Sequence, residues 1–513
     1  MQNRLLVVVI GVISCLTVLS QTSDSTKTGL EISGYIQAQY QHFVINDTTG
    51  SVPKHFAKYY GGNFVNDVTC DRFMIRRGRL KFTHRGQLTK GVLSCDFTEK
   101  GFSVKDIYID LTEKYLKAFT FSGGLFSRSF GHEVEYSASL IESPERSLVV
   151  QHLFPGERDL GLKFNFNMPE KSPLHFLSLD AAIINGNGSA VETDNYKDFI
   201  GRINLSSNKE NEKFYVSFGA SFYSGSVNHI YEPVDTVASN TARKYSIYRF
   251  GEYTDTVRHG VYIDSLWADT NVVVSYKGFK VDTATTYACG TTGGKVKREY
   301  YGIHGELRVK SPFGRLTIRG EYITGTQPSA VNTNQFDKPT VIYNDMNSAS
   351  PSGPITGVSW PVHKVPQPYR PVSVGSKEIP HNTLVRKFNG GYIYFIQDIM
   401  ETGHQIVIKY DWYDPNSEIE GKDIDTDYIF DTTDSLPNTY LSPADVKIST
   451  FGIGWNWQVN ENVMIMLYYE NIKNEITEID IFEGDIASGW YPHPGMMSDI
   501  RNDLITIRLQ YKF

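Results

Sequence analysis

The densest basic stretch of the chain reads Asp71-Arg72-Phe73-Met74-Ile75-Arg76-Arg77-Gly78-Arg79-Leu80-Lys81-Phe82-Thr83-His84-Arg85. At the period of two that a strand imposes, Arg77, Arg79, Lys81, Thr83 and Arg85 share one side, while Met74, Gly78, Leu80 and Phe82 take the other. Such a row of cations suits oxyanions. A guanidinium presents a fork to phosphate or carboxylate, and rows of cations in a pore select anions. The same cations could instead pair with Asp96, Glu99, Asp106 and Asp110 on the next segments, stabilising a wall without choosing a solute.

A second group of charges follows. Between Leu125-Phe126-Ser127 and Pro155-Gly156-Glu157-Arg158-Asp159-Leu160-Gly161 the chain has mixed polarity and no alternation, although good alternating segments flank it. A long segment leaving the wall of a barrel at this point is expected to fold into the lumen as a constriction. Arg128, His132, Arg146 and Arg158 would then stand near the narrowest point, opposed by Glu133, Glu135, Glu142 and Glu145, and the transverse field would order polar solutes. The alternative is an extracellular flap with solvated charges.

The elements that must position these groups repeat one pattern. Ile32, Ile36, Ala38 and Tyr40 alternate with Tyr35, Gln37, Gln39 and Gln41; Ile303, Leu307 and Val309 oppose His304, Glu306 and Arg308; Ile406, Ile408, Tyr410 and Trp412 oppose Gln405, Lys409 and Asp411. At the end of the chain Ile505, Ile507, Leu509, Tyr511 and Phe513 oppose Thr506, Arg508, Gln510 and Lys512. Charges confined to one face are tolerable when the other face meets lipid. An aromatic last residue on the apolar face is what the outer-membrane assembly machinery reads. The expected fold is all-β, a transmembrane antiparallel β-barrel of about 16 strands, with 18 as the larger count, wide enough for an aqueous channel.

Composition agrees. The 513 residues include 32 Tyr, 29 Phe and 43 Gly but only 40% hydrophobic residues, and the mean hydropathy of -0.31 is too polar for a bundle of membrane helices. Arg4 and the apolar run Leu5–Leu19, ending in Ser20-Gln21-Thr22-Ser23, read as an export signal cleaved after Ser20, shorter than the ~20 apolar residues of a spanning helix. Val12-Ile13-Ser14-Cys15 loosely fits a lipoprotein box. Residues 21–513 are then one barrel, with the proline-rich stretch 325–390 as a long extracellular loop and Ser311-Pro312-Phe313-Gly314 as a periplasmic turn. The net charge of -7 gives no global attraction for anions, so any preference must be local.

No spacing suggests a cofactor, a metal or an enzyme. Asp423, Asp425, Asp427, Asp431 and Asp434 have offsets of a calcium loop, but Tyr428 stands where the turn needs glycine. Cys70, Cys95 and Cys289 are an odd set with no C-x-x-C, and there is neither a P-loop nor a G-x-S-x-G elbow. Export and the lipid-facing pattern argue against nucleic acid.

Gly34-Tyr35-Ile36-Gln37, Phe73 to Lys81, Phe126 to Phe130, Glu142-Ser143-Pro144-Glu145-Arg146-Ser147, Pro155 to Gly161, and Asn185-Gly186-Asn187-Gly188 followed by Lys197-Asp198-Phe199-Ile200-Gly201-Arg202 together resemble the phosphate-selective porin O and P family. The likeness is clearest over residues 30–205. It implies a 16-stranded outer-membrane homotrimer passing phosphate or polyphosphate through a constriction lined by arginine and lysine. Arg77, Arg79 and Arg158 fall within its motifs, as do Arg128 and Arg146; Lys81 belongs to the same basic row as Arg77 and Arg79. The acidic balance and the lack of arginines repeated along the whole channel depart from the phosphate-binding members. The expected function is passive diffusion of small hydrophilic solutes across the bacterial outer membrane, with an anion or phosphate preference. The other readings are a plugged barrel serving adhesion or partner binding through the proline-rich loop, and an outer-membrane hydrolase.

Overall fold

A computed structural model describes residues 28–45, 71–99, 101–169, 172–189, 192, 196–207, 213–228, 243–263, 266–287, 295–329, 382–423, 445–476 and 502–513. Strands β1 to β9 are Gly29–Ile45, Asp71–Arg85, Thr89–Thr98, Gly101–Thr112, Phe119–Ser127, Arg158–Asn167, Leu177–Ile184, Asp198–Ser206 and Phe214–Asn228. Strands β10 to β18 are Arg243–Ile263, Leu266–Tyr287, Lys295–Ser311, Gly314–Ser329, Asn382–Ile399, His404–Asp414, Ile448–Gln458, Val463–Asn474 and Asn502–Lys512. All eighteen share one sheet. Sixteen of them close the ring, because β9 pairs directly with β12 and leaves β10 and β11 as a hairpin outside the wall, with a short parallel pairing to β14. The ring has the sixteen strands chosen from the sequence; the larger count of eighteen is reached only by adding the β10–β11 hairpin, which is not part of the wall.

Closure is made by the two terminal strands. Gln37, Gln39 and Gln41 of β1 stand opposite Gln510, Arg508 and Thr506 of β18, and the Gly34 and Phe513 backbones exchange hydrogen bonds of 3.0 Å in both directions. Lipid offers no partner to backbone polar groups, so a spanning sheet must leave no open edge. The alternation then sorts the two faces. Ile36, Ile507, Leu509, Tyr511 and Phe513 are exposed on the outside, while Gln37, Gln39, Arg508 and Gln510 are buried on the inside. Among the described residues no helix is long and apolar enough to cross a membrane.

Connections at one end of the barrel are short, as at Ser311–Gly314, where β12 and β13 meet in a two-residue turn. Those at the other end are long except for the tight Thr98–Gly101 turn between β3 and β4, which is the usual periplasmic and extracellular asymmetry. The proline-rich stretch is shorter than expected, since residues 325–329 belong to β13 and 382–390 to β14. The rest of that stretch, the export signal with Cys15, Cys70, Cys289 and the aspartates from Asp425 to Asp434 lie outside the described residues.

One departure from strict alternation matters later. In β2 the register slips between Ile75 and Arg77, so Arg76 is an extra residue; in β4 it slips between Val104 and Asp106, so Lys105 is extra. Each is a β-bulge. The phase of β2 therefore reverses at Arg76: Phe73 and Ile75 are exposed outside, and Met74 lies on the lumen side, not with Gly78, Leu80 and Phe82 as period two alone implies. Replacing Ile507, on the outer face of the closing strand, with Arg should cost about 2–4 kcal/mol if it lies near mid-membrane. Denaturant unfolding in lipid bilayers measures this, and an unchanged unfolding free energy would place that face out of lipid.

Candidate functional site

Strands β5 and β6 pair with each other up to Ser127 and Arg158, so residues 128–157 are extruded from the ladder as one segment. They go inward because their apolar side chains have an inward partner. Phe130, Val134, Leu148, Val149, Val150, Leu153 and Phe154 form a core with Phe126 and with Ile184, Ile200, Tyr223, Tyr300, Ile323, Phe388 and Tyr413 of the walls. The single helix here, α1 (Leu148–Leu153), presents most of its residues to that core and stops before Pro155-Gly156, where Gly156 takes a positive φ of 72°. Two glycines of the wall make the fit possible. A Cβ on Gly390 would lie 2.7 Å from the Val149 side chain, and one on Gly302 2.9 Å from the Phe130 ring.

Polar groups fasten the rest of the segment. The Ser147 backbone N–H donates to Glu133 at 2.8 Å, and the Leu148 N–H donates to Asp411 of β15 at 2.8 Å. Glu321 of β13 accepts the N–H groups of His132 and Glu133 at 3.2 and 3.3 Å and the Tyr392 hydroxyl at 3.1 Å. Arg319 reaches Glu142 at 2.6 Å, and Arg508 donates to the Pro144 carbonyl at 2.6 Å. Gln37 and Gln510 donate to the carbonyls of Ala138 and Ser139, both at 3.1 Å. The segment is thereby tied to the first and the last strand as well as to the middle of the barrel. It is a lumen segment, not a flap.

The expected cations are nearly all paired. Arg79 forms a two-pronged bond to Asp96 at 2.6 and 2.8 Å, and Arg77 lies 3.3 Å from Glu145. Arg128 bonds Asp159 at 2.8 Å; Arg158 bonds Asp106 at 3.0 Å and also Glu157; Arg146 bonds Glu157 and the carbonyls of Glu133 and Tyr136. Lys81 alone of the six has no ion pair among the described residues and stays half-exposed on the inner face. Of the carboxylates expected as wall partners, Asp96 and Asp106 serve Arg79 and Arg158, Asp110 takes Lys90 at 2.6 Å, and Glu99 accepts the Ile75 N–H. The acids expected to oppose these cations across a gap instead meet partners of their own, Glu135 with Arg202 and Lys163 and Glu142 with Arg319.

Several carboxylates are shared. Burial alone would raise Glu145, but Arg76 and Arg77 outweigh it and hold its carboxyl at about 2. Glu135 is likewise held at about 2 against burial by Arg202 and Lys163. Burial also opposes ionisation of Glu157, and Arg146 and Arg158 overcome it. Arg76 and Lys105 escape a reading at period two because bulges insert them; the only trace is two polar residues in succession, Arg76-Arg77 and Lys105-Asp106. Arg319, Glu321 and Asp411 show in the sequence as inner-face charges, but nothing local says that the segment is what they hold. Among the described residues no cluster of His, Cys, Asp and Glu could hold a metal ion.

A closed ring of sixteen antiparallel strands, apolar outside and polar inside, with a segment packed in the lumen, defines a transmembrane β-barrel of porin architecture, a protein of the bacterial outer membrane. No family model matches the sequence, and no curated protein does. Among solved structures the chain is similar to the outer-membrane channel DcaP of Acinetobacter baumannii, at 10% identity and a TM-score of 0.47 over 96% of this chain and 100% of that one. It is also similar to OprB of Pseudomonas putida, at 8% identity and a TM-score of 0.45 over 94% of both chains. The trimer form of OmpT from Vibrio cholerae matches at 8% identity and 0.43, over 95% of this chain and 100% of that one. Scores below 0.5 add nothing to what strand pairing and lumen geometry establish.

Arg146→Met should loosen the segment by about 3–5 kcal/mol, because Glu157 and two carbonyls lose a buried charged donor. Hydrogen exchange should rise at the amides of Glu133 to Tyr136 while the strands stay protected. Unchanged exchange there would remove Arg146 as an anchor.

Proposed function

We propose that the protein is a passive diffusion channel for small hydrophilic solutes, with a local preference for anions of the phosphate and carboxylate kind. The observation that carries the preference is the sharing of carboxylates on one side of the lumen. Glu145 serves Arg76, Arg77 and Arg508; Glu157 serves Arg146 and Arg158; Asp96 serves Arg79 and, at 4.0 Å, Lys105. With Asp106 on Arg158 and Lys81 unpaired, eight cations stand beside four carboxylates. This excess offsets the acidic balance of the whole chain, and in a pore the local field counts. Arg77, Arg79, Lys81 and Arg158 form this wall. Arg128 and Arg146 hold the segment, Arg128 acting on solute only through its position and Arg146 also adding its charge beside the shared Glu157. The assembly we propose, from the family resemblance, is a homotrimer, with the closing strand ending at Phe513 as the signal for barrel assembly.

A second reading keeps the barrel and removes the current. The segment reaches walls on both sides of the lumen, from Gln37 to Asp411, so a plugged barrel used for partner binding fits the same contacts. Planar-bilayer recordings separate the two, since stepwise conductance is expected of the channel and none of the plug. In a potassium chloride gradient the reversal potential should show anion preference, and phosphate should reduce the chloride current. Lys81→Glu with Lys105→Glu should reverse that preference, whereas Arg77→Ala should shift it less, because Glu145 keeps two other guanidiniums. A cation preference indifferent to these changes would sink the anion claim.

A further inference from the structure

The turn at residues 129–136 is where the lumen segment leans on β8, β9, β12 and β13. The Gly131 N–H donates to Ser221 at 2.9 Å, and Arg202 donates to the Gly131 carbonyl at 2.8 Å. The His132 and Glu133 N–H groups go to Glu321, as above. The His132 ring packs 5.1 Å from the Tyr136 ring and 6.2 Å from that of His304 on β12. Both imidazoles are poorly supplied with partners. Nε2 of His132 and Nδ1 of His304 are buried without a protein hydrogen bond, and His304 is 6% exposed. The other nitrogen of His304 lies 3.3 Å from Asn204.

We propose that this contact is an acid-released latch, in which protonation of His132 and His304 frees residues 129–136 from the wall and widens the lumen. It deepens the channel reading by naming how the same site is regulated. The charges facing the pair explain why an imidazolium finds no place there. From β8, Arg202 is held by Glu135 and Asp180; from β12, Arg308 is held by Glu306; from β13, Arg319 is held by Glu142. Each nearby guanidinium already has its carboxylate. Glu321 spends one oxygen on the two backbone N–H groups and the Tyr392 hydroxyl, and Glu133 faces Ser147 and Tyr394. Two added positive charges would enter a packed contact with three guanidiniums, where only one carboxylate oxygen among the described residues, Oε1 of Glu321, is without a hydrogen bond to offset them. Burial pushes His132 down to about 2, and Arg319, His304, Arg202 and Arg308 push the same way.

The sign follows from linkage. The docked turn keeps its histidine neutral, whereas the released turn takes up a proton below the ordinary histidine value of about 6.5. Docking is therefore fully favoured above that value and weakens below it, by up to about tenfold per pH unit for each histidine, or about a hundredfold for two.

Peptide-level hydrogen exchange and single-channel conductance of the full-length protein, taken from pH 7.5 to 4.5, test this. Beyond the intrinsic pH dependence of exchange, protection at residues 129–136 should fall at least tenfold with an onset near 6.5, and conductance should rise. His132→Gln with His304→Gln should flatten both profiles, while Glu321→Gln, which removes the other group of this contact able to take up a proton, should lower protection and leave the onset where it is; an onset lost with Glu321 would overturn the latch. A wild-type profile without loss of protection, or one shared by the double variant, would overturn the latch. If the double variant does not fold, the wild-type onset decides together with that of Glu321→Gln, since one near the acid end of the range, below about 5, would assign the release to carboxylates and overturn it. Loss of protection with no current at any pH would overturn the channel reading and leave the latch standing.

Discussion

Everything in this protein depends on the hydrogen-bonded seam between β1 and β18. A sheet in lipid with one unpaired edge leaves a row of backbone groups without partners, each costing several kcal/mol, so the first and last strands must find each other before the rest is stable. The seam sets the inside-outside phase of both strands at once. It places Gln37, Gln39, Arg508 and Gln510 in the lumen, and three of these also reach the segment between β5 and β6. Closing the barrel and seating its contents are one event in structural terms.

The lumen is built in two layers of different character. Near the end with long connections an apolar core around α1 fixes the segment by packing, with Gly302 and Gly390 leaving room for Phe130 and Val149. Deeper in, charge-assisted bonds to Glu321, Arg319, Asp411 and Arg508 take over. The apolar layer supplies strength without direction, while the polar layer supplies position and leaves the wall of β2 to β6 with more cations than carboxylates. The cationic wall of the lumen and the support of the segment are thus made from one set of ion pairs.

Much of this was legible in the residues. Period two gives the strands and their inner and outer faces and bounds the ring at about sixteen to eighteen strands, because lipid on one side and water on the other impose the simplest pattern a sequence can carry. The lumen segment is legible as a break in that pattern between Phe126 and Arg158. Its partners are not: Glu142 meets Arg319 and Leu148 meets Asp411 across sequence separations of 177 and 263 residues, which no local periodicity encodes. The pairing of Arg79 with Asp96 across adjacent strands follows from strand order and was open to view, whereas Arg76 and Lys105 were hidden because a bulge shifts the phase by one. The six basic positions singled out from sequence therefore divide into a wall and a set of anchors, a division that only packing makes.

The two bulges leave this barrel with an unusual freedom to vary. In both β2 and β4 the extra residue sits between an outward and an inward neighbour, so losing it restores strict alternation and disturbs no lipid-facing position on either side. A single-codon deletion at Arg76 or Lys105 would subtract one positive charge from the lumen and leave the outer face untouched. Insertion at the same point would do the reverse. The charge of the lumen can thus drift over generations one residue at a time, by changes of length and not only of residue type, while the membrane-facing surface keeps its pattern.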